Sequence, residues 1–256
     1  MIAHRGASAY APDNTFAAFD LALAQGADVL ELDVRLGADA RMLCLHDPCA
    51  EGETAGAPCL DAVLERYGDR TRYLVDLKDP EAGWEGEVAA LLARRGVLER
   101  AMVQSFDLDA LARLHRIAPE LPLAAVYRRA TSAELSVAAV PAFARAVCVH
   151  HPRVDERFVA EARARSLAVL PWTIDDAPEA ERMLALGVDA IVTNAPDVVR
   201  AAVSGAAQQH LGDREVGARV DVEHAVGGRV GAEHDRAEAV EGEREGLVGI
   251  GGLEAA

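Results

Sequence analysis

The sequence predicts an α/β protein built as a single (β/α)8 barrel, the TIM-barrel class. Three observations carry that expectation. Short apolar runs rich in β-branched residues alternate with segments of helical period. The alternation repeats about eight times within residues 1–204 of the 256-residue chain. That length suits one closed barrel, typically about 250 residues, better than an open sheet. No GxGxxG or GxxxxGK(S/T) follows the first strand, which weakens the nucleotide-binding alternatives.

Taken in order, the strand-like runs are MIAH, DVLELDV, RMLCLH, RYLVDLK, AMVQS, PLAAVY, AVCVH, LAVLPW and DAIVTN. Between most of them lie the helical segments FAAFDLALAQG, CLDAVLERYG, GEVAALLARRG, LDALARLHRIA, DERFVAEARARS, APEAERMLALG and PDVVRAAV. Gly26, Gly68, Gly96 and Gly187 stand where helix C-caps belong, and Thr15 reads as the N-cap of the first helix. RMLCLH follows DVLELDV so soon that we pair the two as a long strand and its extension. Residues 205–256 differ in kind: 11 Gly, 11 acidic and 5 basic residues with no aromatic, Pro, Lys or Cys. Such a segment buries too little apolar area to offset chain entropy, so it is expected to be a disordered acidic tail.

Composition narrows the function. A formal charge of −16 argues against nucleic acid or anionic membranes as partners. No apolar run reaches about 18 residues, and MIAHRG lacks the pattern of a secretory leader, so a cytoplasmic setting is expected. The four cysteines (Cys44, Cys49, Cys59, Cys148) form no CxxC pair and are expected to be free thiols. Lys78 is the single lysine beside 25 arginines, and Asn14 and Asn194 are the two asparagines. Against such a bias, a surviving Lys or Asn is a weak pointer to required chemistry.

Barrel active sites lie at the C-terminal strand ends. Here nearly every strand ends on a polar residue: His4, Glu31 and Asp33, His46, Asp76 and Lys78, Gln104 and Ser105, Tyr127, His150, Trp172, Asn194. The period of two places Val29, Glu31 and Asp33 on one face of DVLELDV, and Leu30, Leu32 and Val34 on the other. The apolar set suits the helix layer, so both carboxylates point inward. The same rule turns Asp76 and Lys78 inward, and in RMLCLH it turns Met42, Cys44 and His46 inward. Glu31 or Asp33 alone would read as a solvated charge. Three converging carboxylates repel one another unless a cation joins them, and all-oxygen ligands suit Mg²⁺ or Ca²⁺. His4 and His46 beside that metal supply a general base and a general acid, and Arg5 and Lys78 add fixed positive charge. This balance suits a phosphodiester, whose charge must be neutralised in the transition state.

The segments AHRGASAYAPDNTFAAF, GADVLELDVRLGADARMLCLHD, YLVDLK, VQSFDLDAL, PWTID and GVDAIVTNAPDVV, in that order over residues 1–203, resemble the glycerophosphodiester phosphodiesterase family, most closely its bacterial cytoplasmic members. The resemblance implies a metal-dependent barrel that cleaves glycerophosphodiesters to sn-glycerol 3-phosphate and an alcohol. It makes His4 and His46 the acid–base pair and Glu31, Asp33 and Asp76 the ligands of one divalent cation. It gives Arg5 and Lys78 to the phosphate, and Trp172 to a wall for the alcohol. Asn14 is expected at the substrate site or bracing its loop. The chain departs from the family pattern in four places. Asp13 replaces Glu; Asp76 stands where Glu is usual; the insertion after His46-Asp47 is cut to about ten residues; and Asn194 follows Thr193 where Asp is common.

Two further functions stay open: a lysophospholipase D or sphingomyelinase D-like phosphodiesterase, and a non-catalytic barrel that binds a phosphodiester. His150 and His151 are either substrate contacts or exposed residues, and Gln104 and Ser105 either touch phosphate or satisfy loop backbone. Because His46 sits beside the shortened loop where an alcohol would leave, it is assigned as the acid and His4 as the base.

Overall fold

The computed structural model describes residues 1–37, 39–48, 56–78, 83–127 and 136–210, with side chains as far as residue 205. Its strands are β1 (Ile2–His4), β2 (Val29–Leu36), β3 (Met42–Cys44), β4 (Arg72–Leu77), β5 (Ala101–Ser105), β6 (Leu123–Tyr127), β7 (Ala146–His150), β8 (Ala168–Trp172) and β9 (Val192–Thr193). Seven α-helices run alongside: α1 (Phe16–Ala24), α2 (Leu60–Tyr67), α3 (Glu85–Arg94), α4 (Leu108–Ile117), α5 (Glu156–Ala164), α6 (Ala177–Leu186) and α7 (Pro196–His210). Thr15, Asp107, Asp155 and Asp176 cap α1, α4, α5 and α6 through side-chain oxygens, each satisfying an otherwise orphan N–H. Between β6 and β7 the described residues hold only a 3₁₀ turn, Val137–Ala139.

Eight strands form a parallel sheet in the order β8-β7-β6-β5-β4-β2-β1-β9. The barrel closes at the β8–β9 seam, where Asp189 N–H donates to Val169 O (3.1 Å) and Ile174 N–H donates to Val192 O (3.0 Å). Inward positions are apolar at the floor, where Ile2, Val29, Leu74, Met102, Leu170 and Val192 pack together. Two residues further along the same strands the inward positions turn polar: His4, Glu31, Asp76, Gln104, Trp172 and Asn194. A second apolar layer, including Leu30, Leu32, Val75 and Val103, packs between the sheet and the helices. The fold thus places a dry floor under a charged mouth.

The structure corrects three expectations. The run RMLCLH is not an extension of β2. It returns antiparallel to it, with Val34 paired to Cys44 and Leu36 to Met42. The five residues between Leu36 and Met42 are too few for a parallel crossover. Facing pairs share a sheet face, so Cys44 lies with Val34 in the layer under the helices, not inside the barrel. The region after residue 204 begins as helix, since α7 continues to His210 and passes through Gly205. Ala206, Ala207, Gln208 and Gln209 are good helix formers that offset the roughly 1 kcal/mol cost of the glycine. The remainder of the expected tail, 211–256, lies outside the described residues, as does the shortened loop at 49–55. Cys44, Cys59 and Cys148 are free thiols.

Candidate active site

The strand register assembles the mouth. β1 and β2 align His4 beside Glu31. β2 and β4 align Asp33 beside Asp76, and β4 and β5 align Asp76 beside Gln104. The residues meet around a pocket of about 490 Å³ lined by His4, Arg5, Glu31, His46, Asp76 and Lys78, with an aromatic side of Phe106, His150 and Trp172. A volume of this size suits a small organic ligand.

Glu31, Asp33 and Asp76 are all buried, and each offers a carboxylate oxygen within 4.8 Å of the other two. Lys78 Nζ sits 2.9 Å from Asp33 Oδ1 and 2.6 Å from Asp76 Oδ2. Arg5 Nε lies 2.9 Å from Asp33 Oδ2, and the Arg5 backbone N–H donates to Glu31 Oε2 (2.9 Å). Two cations therefore face three carboxyl groups, so one of the three must keep its proton or meet a further positive charge. Burial, together with Asp33 and Asp76, holds the Glu31 carboxyl well above its ordinary range. Burial likewise drives Asp76 up to about 6, against the pull of Lys78. Asp33 goes the other way: Lys78 and Arg5 overcome its burial and lower it. Asp76 Oδ1 is buried with no hydrogen-bond partner among the described residues. A carboxyl group with no cation to match it, an orphaned carboxylate oxygen and an all-oxygen donor set together fit a hard divalent cation.

Local backbone conformation delivers these groups. Arg5 and Asn14 both hold positive φ, 58° and 55°, which non-glycine residues rarely adopt. Between them Gly6 (φ 83°) lies against α1, where a Cβ would meet the Ala18 carbonyl carbon at 2.5 Å. Asn14 is buried and spends its amide on Asp33. Its Nδ2 donates to Asp33 Oδ2 (2.9 Å), and its Oδ1 accepts the Asp33 backbone N–H (3.1 Å). It braces the carboxylate and is not among the residues lining the pocket.

The histidines differ in setting. His4 Nδ1 lies 2.7 Å from Asn194 Oδ1, and burial, reinforced by Arg5, pushes its pKa down to about 4. His46 reaches the same mouth because the chain bends after β3. Leu45 N–H donates to Asp33 O (3.0 Å), and Arg35 Nε donates to the His46 carbonyl (2.7 Å). Its Nδ1 lies 2.8 Å from Asp47 Oδ1, and the ring is one-third exposed. Gln104 Nε2 donates to Glu31 Oε1 (3.3 Å) while its Oε1 accepts from Cys148 Sγ (2.9 Å). Ser105 donates to Leu77 O, a loop-bracing role. His150 lines the pocket, whereas His151 pairs with Glu179 away from it. The aromatic side is built edge-to-face, with Trp172 6.3 Å from Phe106 and 5.5 Å from His150. Sequence reasoning missed Arg35, Ser8 and Asp175, whose partners are far away along the chain.

Comparison with known proteins agrees with this architecture. YhdW of Bacillus subtilis (strain 168), named as a glycerophosphodiester phosphodiesterase, is 32% identical over 78% of this chain and 96% of its own. The crystal structure of a glycerophosphodiester phosphodiesterase from Agrobacterium tumefaciens C58 is 29% identical, with a TM-score of 0.68 over 80% of this chain and 98% of that one. An Oleispira antarctica phosphodiesterase, solved in complex with the product sn-glycerol-3-phosphate, shares the fold at 24% identity and TM-score 0.67, over 79% of this chain and 96% of that one. The profile of the glycerophosphoryl diester phosphodiesterase family matches residues 4–81 and 57–198, the whole barrel from His4 at the end of β1 to the first turn of α7. With its mouth residues and its barrel both inside that match, the chain belongs to the glycerophosphoryl diester phosphodiesterase family.

Proposed function

We propose that this protein hydrolyses glycerophosphodiesters to sn-glycerol 3-phosphate and an alcohol, using one divalent cation, Mg²⁺ or Ca²⁺, and the pair His4 and His46. The observation that carries the reading is the convergence of two buried carboxylates, two imidazoles and two cations on one pocket, with a third buried carboxylate, Asp33, within 4.8 Å of the other two. Glu31, Asp33 and Asp76 would hold the cation. When bound, it supplies positive charge to phosphate oxygens as the transition state forms. Arg5 and Lys78 orient the phosphate from the same mouth. His4, neutral at pH 7, accepts a proton from the attacking water, or from the substrate's own glycerol 2-hydroxyl, in which case water then opens the resulting five-membered cyclic phosphate to sn-glycerol 3-phosphate. The bond from phosphorus to the alcohol oxygen breaks, and His46 protonates that oxygen as it leaves. Trp172 walls the alcohol from the aromatic side of the pocket. The acidic composition supports a cytoplasmic, membrane-free setting, and among the described residues no helix is long and apolar enough to cross a membrane.

The test is turnover of glycerophosphocholine against lysophosphatidylcholine, each with Mg²⁺, with Ca²⁺ and with chelator. Metal-dependent cleavage of glycerophosphocholine alone is expected. Preference for the lysolipid would favour a lysophospholipase D, and no turnover of either would favour a binding barrel. Asp33→Ala and the isosteric Glu31→Gln should each abolish activity and metal-dependent thermal stabilisation together; near-normal turnover in Mg²⁺ would overturn the ligand assignment.

A further inference from the structure

We infer that Asn194, oriented by Asp175, fixes the tautomer of His4 and so makes Nε2 the basic nitrogen. This rests on the reading of His4 as the general base and adds the residues that prepare it. In neutral imidazole one nitrogen carries the proton, and which one depends on the partner of the other. The partner here is the Asn194 side chain, whose two ends must be told apart by their neighbours.

Asp175 makes that distinction. It follows β8, and Asn194 follows β9, so the closing seam of the barrel brings them together. The Asp175 carboxylate receives three donors: Asn194 N–H at Oδ1 (2.7 Å), the Thr193 hydroxyl at Oδ1 (3.1 Å), and Asn194 Nδ2 at Oδ2 (2.7 Å). An ionised carboxylate only accepts. A flipped amide would set its oxygen against that carboxylate, so Nδ2 faces Asp175 and Oδ1 faces His4. Ser8 Oγ, 2.8 Å from the same Oδ1, adds a hydroxyl contact there. With Oδ1 as the acceptor at 2.7 Å, His4 Nδ1 must be the donor. Its proton is therefore on Nδ1, and the lone pair on Nε2 is free to take a proton. Asn194 is a positioning residue, acting through His4.

The experiment is ¹⁵N NMR of histidine-labelled full-length protein, with and without Mg²⁺, alongside steady-state kinetics on glycerophosphocholine. In the native protein His4 is expected to show a protonated Nδ1 and an unprotonated Nε2. Asn194→Ala removes the acceptor. His4 should shift toward the Nε2-protonated form, and kcat should fall roughly 10- to 100-fold with KM little changed, a share of what a general base contributes. The exchange Asp175→Asn with Asn194→Asp restores one donor and one acceptor in reversed order, and should recover both the Nδ1–H signal and most of kcat. A merely structural role would leave the His4 tautomer unmoved in both variants. An Nε2-protonated His4 in the native protein, or a tautomer unmoved by Asn194→Ala, overturns the inference. So does an Asn194→Ala variant that changes tautomer yet keeps full kcat while His4→Ala is inactive. Failure of the base reading itself looks different: His4→Ala retains turnover whatever the NMR signal of His4 shows.

Discussion

At the residue scale, the two histidines sit in opposite surroundings, and that asymmetry supports their division of labour. His4 is buried beside Arg5, its pKa pushed down to about 4, with Nδ1 tied to an amide oxygen. His46 is one-third exposed, with Nδ1 against the Asp47 carboxylate. A ring kept neutral suits a base; a ring paired with a carboxylate at the rim suits delivery of a proton to a departing alcohol. The expectation that the loop after His46 marks the exit falls on residues outside those described, so the assignment now stands on these partners. General acid catalysis matters most for a poor leaving group. His46→Ala should lose on the order of 10²–10⁴-fold in kcat/KM on an alkyl glycerophosphodiester and far less on a nitrophenyl ester. His4→Ala should lose similar factors on both. Equal losses for His46→Ala on the two esters, or rescue of His4→Ala alone by the nitrophenyl leaving group, would reverse the roles.

At the scale of elements, the turn from β1 into α1 sets how closely Arg5 and Asn14 approach Asp33. Gly6→Ala would drive a Cβ into the Ala18 backbone at 2.5 Å while forcing alanine to φ 83°. Overpacking of this kind costs about 1–3 kcal/mol, and the left-handed conformation roughly 1–2 kcal/mol more. Gly96→Ala, also at positive φ but with nothing within 4 Å, carries only the second cost. Thermal unfolding should therefore fall clearly further for Gly6→Ala than for Gly96→Ala, and kcat should drop for the first variant alone; equal melting shifts would show that the α1 contact yields freely. Legibility in the sequence follows the same boundary between local and distant. Short apolar runs named each described strand, and period-two patterning put Glu31 with Asp33, and Asp76 with Lys78, on the same strand face, because both are local properties. The reading of RMLCLH failed, since such patterns carry no strand direction, although the short connection already excluded a parallel neighbour. Asn14 on Asp33 and Asp175 on Asn194 were hidden, because each pairing exists only once the strands lie in register.

At the scale of the whole molecule, the buried carboxylates of the site are a source of instability that the proposed cation would relieve. Glu31 and Asp76 have folded pKa values raised above the unfolded range, Asp76 to about 6, with burial as the leading cause. Between about pH 4, where unfolded carboxyls titrate, and pH 6 and above, the folded state holds protons that the unfolded chain has released. Stability of the metal-free protein from these two groups is thus present at the low end of that window and lost as pH rises through it. Asp33 has the opposite sign: its lowered pKa contributes stability above about pH 4 that disappears only in stronger acid. A divalent cation replaces the missing protons, so its stabilisation should grow with pH, reaching about 2.7 kcal/mol at a hundredfold excess over Kd. The measurement is Tm in chelator and in saturating Mg²⁺ at pH 5 and pH 7.5, with calorimetry in two buffers of different ionisation enthalpy. The Tm gap should be wider at pH 7.5, and binding near pH 6 should release protons. Glu31→Gln, which needs no proton to stay neutral, should raise the metal-free Tm at pH 7.5 and erase the gap. A gap of equal size at both pH values, with no proton release, would mean that these carboxylates do not exchange protons for a metal.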